Sequence, residues 1–195
     1  MTSPSDMLRS PSIALRRAVL GALPPDVAAP RYDTAGLRPG IVHIGVGNFH
    51  RAHQAVYLDD LFARGQGHEF GILGAGIRGP DRAMRAALAQ QDWLSTVVEQ
   101  DGDAAHARVT ASMLGFVDPD EPSALIAAMA DPATRIVSLT VTEGGYCVDA
   151  RTGRFDAMHP DIVADAAGYA AIAAVPRAVS AAASGTSAPS PRTAF

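Results

Sequence analysis

Ile41-Val42-His43-Ile44-Gly45-Val46-Gly47-Asn48-Phe49-His50-Arg51-Ala52-His53-Gln54-Ala55 is the stretch on which the fold is decided. Three of its first four residues, Ile41, Val42 and Ile44, are β-branched, and the run follows a Pro39-Gly40 turn and stops at a glycine, which predicts a short buried strand. Downstream, Ala52, Ala55, Val56, Leu58, Leu61 and Phe62 recur at helical spacing, which predicts a helix from about Phe49 to Ala63 ending near Gly65 and Gly67. Gly45-x-Gly47 therefore joins a strand to a helix. In a dinucleotide fingerprint the first glycine permits the tight turn. The second lets the backbone approach a pyrophosphate, whose charge meets the free amides and dipole of the helix start. The usual third glycine is replaced by His50. Spacing alone leaves two readings, a phosphate loop or two glycines in an ordinary strand-to-helix turn. The strand-helix-strand order around the loop favours the first.

Working outward, Phe70 to Ile77 reads as a glycine-rich strand, and Pro80 sits well as the first residue of a helix running to about Gln91. Strands are expected at Leu94 to Glu99 and Arg108 to Phe116, with Gln100 to Ala104 as the turn between them. Pro122 opens a helix to Ala130, and Ile136 to Val141 reads as another buried strand. This alternation predicts an α/β fold, a Rossmann-type mainly parallel sheet with helices on both faces and right-handed crossovers. Residues 1–39 form an N-terminal extension, with a short helix near Met7 to Leu20 that Pro24, Pro25 and Pro30 break. Residues 40–165 are the expected dinucleotide-binding domain. From Ala166 to Ser190 alanine, serine, glycine and proline dominate, so residues 166–195 read as a disordered or irregular tail.

Composition narrows the function. With a net charge of -4 and no arginine-rich stripe, nucleic acid is not an expected partner. A single cysteine, Cys147, excludes an intramolecular disulfide and fits a reducing compartment, where it reads as a small packed apolar residue. The apolar run after Arg16-Arg17 is cut short by Pro24-Pro25 and falls far below the roughly 20 residues of a membrane span, so a cytoplasmic protein with no membrane partner is expected. The 195 residues contain no lysine; all 16 Lys+Arg positions are arginine.

A dinucleotide fold of this kind carries an acid at the end of its second strand to hold the ribose hydroxyls. Glu69 has about the right spacing from the glycines but precedes that strand, which makes it a surface residue. Asp81 and Arg78 lie at the far end. Asp81 in the ribose role favours NAD, whereas Arg78 meeting a 2′-phosphate favours NADP. A third reading makes Asp81 an ordinary acid in a helix's first turn.

Two long blocks carry a resemblance. The run from Ile41 to Ala55 resembles the N-terminal signature of the long-chain polyol dehydrogenases, mannitol 2-dehydrogenase and its fructuronate, tagaturonate and arabinitol relatives. That signature also lacks the third glycine. The block Ile136-Val137-Ser138-Leu139-Thr140-Val141-Thr142-Glu143-Gly144-Gly145-Tyr146 resembles the family's strand and loop beside the nicotinamide. Between them, Gly76-Ile77-Arg78-Gly79-Pro80-Asp81-Arg82 resembles the segment whose acid reads the adenosine ribose, which turns the reading of Asp81 toward NAD.

The resemblance implies an NAD-dependent oxidoreductase that moves hydride between a polyol and a ketose, mannitol and fructose by family, with arabinitol or a hexuronate left open. It implies cofactor contacts at Ile44, Gly45, Val46, Gly47, Asn48, Phe49, His50, Arg51, Asp81, Thr142 and Glu143. Family members continue into a helical domain that supplies a lysine as general base, with an asparagine and a histidine. The chain thus reads as a truncated form, the resemblance fading before Phe195. No catalytic residue is expected within it, and no metal: His50 and His53 stand on one helical face without a convincing third ligand. His43 reads as a hydrogen-bonded core histidine, and His68, His106 and His159 as surface residues. Glu143 and Tyr146 either line the nicotinamide site or serve a Gly-Gly turn. The alternative to an enzyme is a non-catalytic dinucleotide-binding or interaction module. Oligomeric state is left open.

Overall fold

The structure is a computed structural model that describes residues 14–101, 104–141 and 143–173. The chain divides into two units, residues 1–140 and 141–195. In the first unit the strands are β1 (Val27–Ala28), β2 (Pro39–Ile44), β3 (Gly71–Ala75), β4 (Ser95–Asp101), β5 (Ala104–Thr110), β6 (Met113–Phe116) and β7 (Ile136–Leu139). Its helices are α1 (Ala55–Ala63), α2 (Gly79–Ala89) and α3 (Pro122–Ala130).

The main sheet has the order β6-β3-β2-β7, and every pairing in it is parallel. The chain winds outward from β2 through β3 to β6, then returns to lay β7 on the other side of β2. That reversal creates a crevice at the carboxyl ends of β2 and β7, where open sheets of this kind bind ligands. β2 is buried along most of its length because it has neighbours on both sides. Ile41, with Val46, Ile72, Leu88, Met113 and Phe116, builds the core, and Leu58 of α1 and Met84 of α2 pack against it.

Three sequence expectations change. The strand expected over Arg108 to Phe116 is two strands in two sheets, because Ala111 and Ser112 turn the chain between them. β5 pairs antiparallel with β4 and parallel with β1, giving a second, three-stranded sheet. The β4 and β5 pairing also runs through Gln100, Asp101 and Ala104, which were expected in the turn; residues 102–103 lie outside the described residues. β7, read as buried, is instead an edge: Ile136, Val137 and Leu139 are 44%, 47% and 60% exposed, since β2 alone pairs with it among the described residues. Upstream, Arg17–Ala22 forms a 3₁₀ helix, while the rest of the expected Met7 helix falls largely outside the described residues.

The second unit holds a 3₁₀ turn, Glu143–Tyr146, a bridge between Val148 and Phe155, and α4 (Pro160–Ala173). α4 continues past Asp165, where an irregular tail was expected. Proline at its first position and a run of alanines favour the helix. Residues 174–195 lie outside the described residues. Cys147 is buried, as its reading as a packed residue requires. Among the described residues no helix is long and apolar enough to cross a membrane.

One buried carboxylate ties the two sheets of the first unit together. Asp59, on α1 and 3% exposed, accepts hydrogen bonds from Arg108 Nη2 at 2.8 Å, the Tyr32 hydroxyl at 2.5 Å and the Ala111 amide at 3.1 Å. Burial, and then the hydrogen bond to Asp59, hold the Tyr32 hydroxyl protonated far above the ordinary phenol range. Removing the carboxylate leaves the buried Ala111 amide and the Tyr32 hydroxyl without their acceptor, while Arg108 keeps Asp60 at 2.6 Å. Asp59→Ala is therefore expected to cost about 3 kcal/mol in urea denaturation. Tyr32→Phe, which keeps the ring and loses one hydrogen bond, should cost only about 1 kcal/mol.

Candidate functional site

The turn after β2 is built by its two glycines. Gly45 has φ of +97°, a conformation that side chains rarely adopt, and a Cβ there would stand 3.3 Å from the Thr140 carbonyl. Its amide donates to Ala75 O at 2.9 Å, and the Gly47 amide closes back on Gly45 O at 2.8 Å. A Cβ on Gly47 would meet nothing within 4 Å, so the backbone there faces open space. The helix begins at Asn48, leaving first-turn amides without partners inside it. Arg51 steadies this start by donating from Nη2 to Asn48 Oδ1 at 2.7 Å.

The eight loop residues divide by orientation. Gly47, Asn48 and Phe49 are exposed, Ile44, Gly45 and Arg51 are half-buried, and Val46 and His50 face inward. The helix opens with a π-helical turn, His50–Gln54, in which the Ala55 amide reaches back to His50 O. This wider turn brings His50 and Gln54 under the loop. His50 stacks on His43 with ring centroids 4.5 Å apart and planes 15° from parallel. His50 Nδ1 lies 3.0 Å from Gln54 Oε1, Gln54 Nε2 is 3.4 Å from Ser138 Oγ, and Ser138 Oγ is 2.9 Å from His43 Nδ1. On its far side His43 Nε2 faces Gly45 O at 3.2 Å and Thr140 Oγ1 at 3.3 Å. Burial lowers the pKa of both rings, His50 to about 4. His43 is thus the hydrogen-bonded core histidine that its strand position implied. Gln54, Ser138 and Thr140 were not singled out from sequence, although a serine within an apolar strand and a glutamine four residues after a histidine were visible signals.

Beside the loop lies a cavity of about 290 Å³, lined by His43, Phe49, His53, Tyr57, Ser138 and Leu139 among others. A larger one, about 340 Å³, lies around the Arg108, Asp59 and Asp60 ion pairs and away from the strand ends. The strand-end position decides which of the two bears on function.

Asp81 stands at the carboxyl end of β3. Its Oδ2 accepts from the Ile77 amide at 2.9 Å and the Arg78 amide at 2.8 Å, and a Cβ on Gly76 would meet its side chain at 2.3 Å. Asp81 is therefore both a helix-capping acid and an acid at the end of the second sheet strand; capping engages one oxygen only. Arg78 is exposed beside it, and Glu69 is exposed ahead of β3 as expected. Thr142 lies outside the described residues, and Glu143 opens the 3₁₀ turn of the second unit.

The histidines do not converge on a common ion. His50 is buried against His43, while His53 is exposed and packs on Phe49 at 5.3 Å. His68, read as a surface residue, is half-buried, with Nε2 3.1 Å from Phe62 O, because Tyr32 and Phe62 pack around it. His106 is exposed. In the second unit His159 is half-buried, and its Nδ1 accepts the Asp161 amide at 3.3 Å at the start of α4.

Residues 39–184 match the family model of the mannitol dehydrogenase Rossmann domain. The chain belongs to that family. It is 65% identical over 142 residues to a mannitol 2-dehydrogenase of Cereibacter sphaeroides, covering 72% of this chain and 30% of that one. It is 44% identical over 140 residues to a mannitol 2-dehydrogenase of Pyricularia oryzae, covering 71% of this chain and 28% of the relative. Among solved structures, the ternary complex of Pseudomonas fluorescens mannitol 2-dehydrogenase with NAD and D-mannitol matches with a TM-score of 0.70 at 46% identity, over 80% of this chain and 32% of that one. A D-sorbitol dehydrogenase in substrate-free form matches with a TM-score of 0.67 at 37% identity, over 78% of this chain and 32% of that one. The chain spans about three-tenths of the length of these relatives.

The neutral histidine pair makes stability depend on pH. With the His50 pKa at about 4 in the folded chain and 6.5 as its ordinary value, the unfolded chain takes up the proton first as pH falls. Stability from this group is complete above about pH 6.5 and declines toward pH 4, by on the order of 3 kcal/mol. His43 adds in the same direction. Urea denaturation across this window is expected to show that slope in the wild type and a shallower one in His50→Phe.

Proposed function

We propose that this chain is the dinucleotide-binding part of an NAD-dependent polyol dehydrogenase, which moves hydride between mannitol and fructose. The observation that carries the reading is the Gly45-Gly47 turn at the crevice between β2 and β7, with Asp81 at the neighbouring strand end. In this reading residues 40–165 form the cofactor domain. The partners are small molecules, a polyol or ketose, and the setting is cytoplasmic.

The residues fit the cofactor. Gly47 presents open backbone, and the helix start at Asn48 supplies amides and a favourable dipole for the pyrophosphate. Ile44, Gly45 and Val46 carry the turn into position. Asn48 and Arg51 brace its tip, Phe49 offers an exposed ring, and His50 supports the loop from beneath. The Asp81 oxygen left over from capping accepts from a ribose hydroxyl. Its negative charge, with no lysine beside it, disfavours a 2′-phosphate despite Arg78.

When bound, NAD supplies the hydride acceptor. The alcohol proton must leave with the hydride, and a base tuned toward neutral pH must take it. No lysine stands among the 195 residues, so the base implied by the resemblance is not one of them. A second reading is dinucleotide binding by these residues without turnover.

NADH fluorescence titration separates these outcomes. Saturable binding is expected with Kd of about 1–100 μM, corresponding to about 5.5–8 kcal/mol. Asp81→Asn keeps an oxygen for the Ile77 and Arg78 amides, so its melting temperature should hold. Its NADH Kd should rise about tenfold, roughly 1.4 kcal/mol, and its discrimination against NADPH should shrink. Absence of NADH binding by a chain that circular dichroism shows to be folded would refute the cofactor role. Reduction of NAD by mannitol in the same preparation would exclude the second reading.

A further inference from the structure

We propose that Gln54 and Ser138 are positioning residues for the dinucleotide loop: they hold the His43 ring as its Nε2–H tautomer, and that N–H restrains the Gly45 carbonyl on which the loop turn is built. The inference deepens the cofactor reading and rests on it.

The chain His50–Gln54–Ser138–His43–Gly45 admits two hydrogen-bond directions, because every side chain between its ends can be reversed. In one direction His43 Nε2–H donates to Gly45 O, the Ser138 hydroxyl donates to His43 Nδ1, Gln54 Nε2 donates to Ser138 Oγ, and His50 Nδ1–H donates to Gln54 Oε1. In the other direction His43 carries its proton on Nδ1, and its Nε2 lone pair confronts Gly45 O at 3.2 Å, with the longer contact to the Thr140 hydroxyl at 3.3 Å as its donor. A carbonyl only accepts, so the second arrangement sets two lone pairs against each other. The first arrangement is therefore the consistent one: the Ser138 hydroxyl, oriented by Gln54, donates to His43 Nδ1 and keeps the ring proton on Nε2, facing Gly45 O, while His50 Nε2 is left as a lone pair.

The buried end of the chain agrees. His50 is 0% exposed and its Nε2 has no partner among the described residues. Gln54 Oε1 at 3.0 Å gives the single ring proton of His50 an acceptor at Nδ1. A second proton, on Nε2, would be buried without an acceptor, which keeps the ring neutral. The relay thus joins the π-turn, β7 and the end of β2. Its output is the orientation of the Gly45 carbonyl, which also accepts the Gly47 amide at 2.8 Å. Gln54 and Ser138 act on the cofactor loop through His43.

The test is nitrogen NMR of the 195-residue chain labelled at histidine, combined with NADH titration. The expected spectrum shows His43 protonated on Nε2 and His50 on Nδ1. Ser138→Ala should remove the donor to His43 Nδ1, alter the His43 tautomer signal and raise the NADH Kd about five- to tenfold. Ser138→Thr, which keeps the hydroxyl, should restore both. The opposite tautomers in the wild type, or a Ser138→Ala chain with altered tautomer but unchanged Kd, overturn the proposal while leaving NADH binding intact. A wild type with the expected tautomers that binds no NADH overturns the cofactor reading, and the positioning role with it.

Discussion

A histidine at the end of a buried central strand requires partners for both ring nitrogens, and much of this site is organised around that requirement. His43 is 2% exposed and lies in the strand that every other part of the main sheet is built around. Its partners come from β7 on one side and from the glycine turn on the other. Meeting the demand fixes the relation of two strand ends, and the crevice between those ends is where a sheet of this topology receives ligand. A polar group that costs free energy to bury here aligns the loop that faces solvent.

The same logic appears at Asp59, on a larger scale. One carboxylate satisfies the Tyr32 hydroxyl, the Arg108 guanidinium and the Ala111 amide at the place where the chain leaves the small sheet for the large one. Apolar packing alone would not specify that crossing. The two clusters, around Ile72 and around Leu94, are each generic in composition. Directional hydrogen bonds to a buried charge set the first unit's sheets in one arrangement.

Family membership and site geometry support each other without being the same argument. The match over residues 39–184 places the chain in the mannitol dehydrogenase Rossmann-domain family. The geometry adds how its parts work: a left-handed glycine at the turn, an open glycine at the tip, and an acid whose second oxygen is left over from capping. Asp81 caps its helix through one oxygen and leaves the other without a capping partner, so the capping role is no evidence against a ribose role.

Local patterns carried most of the elements. Ile41 to Ile44, the glycine pair, Pro80 and Pro122 each dictate backbone conformation through sterics or a missing donor, and these effects act within a few residues. For that reason the strand-loop-helix unit, the parallel sheet and the candidate cofactor loop were legible in the sequence, as was Asp81 with its competing roles. Burial was not. Ile136 to Leu139 has the composition of an interior strand yet lies at an edge, because exposure depends on which neighbours a strand finds. The division at Ala111 and Ser112 was equally hidden, since it is made by contacts with Asp59 and Ala55 more than 50 positions away. So was the relay through Gln54 and Ser138, residues 84 positions apart whose meeting depends on a π-turn and on the register of two parallel strands. The amino-acid order by itself determined which segments form which elements and where the glycine turn falls. Only the tertiary structure decided which side chains are buried together, because pairing between distant strands fixes the distances over which hydrogen bonds act.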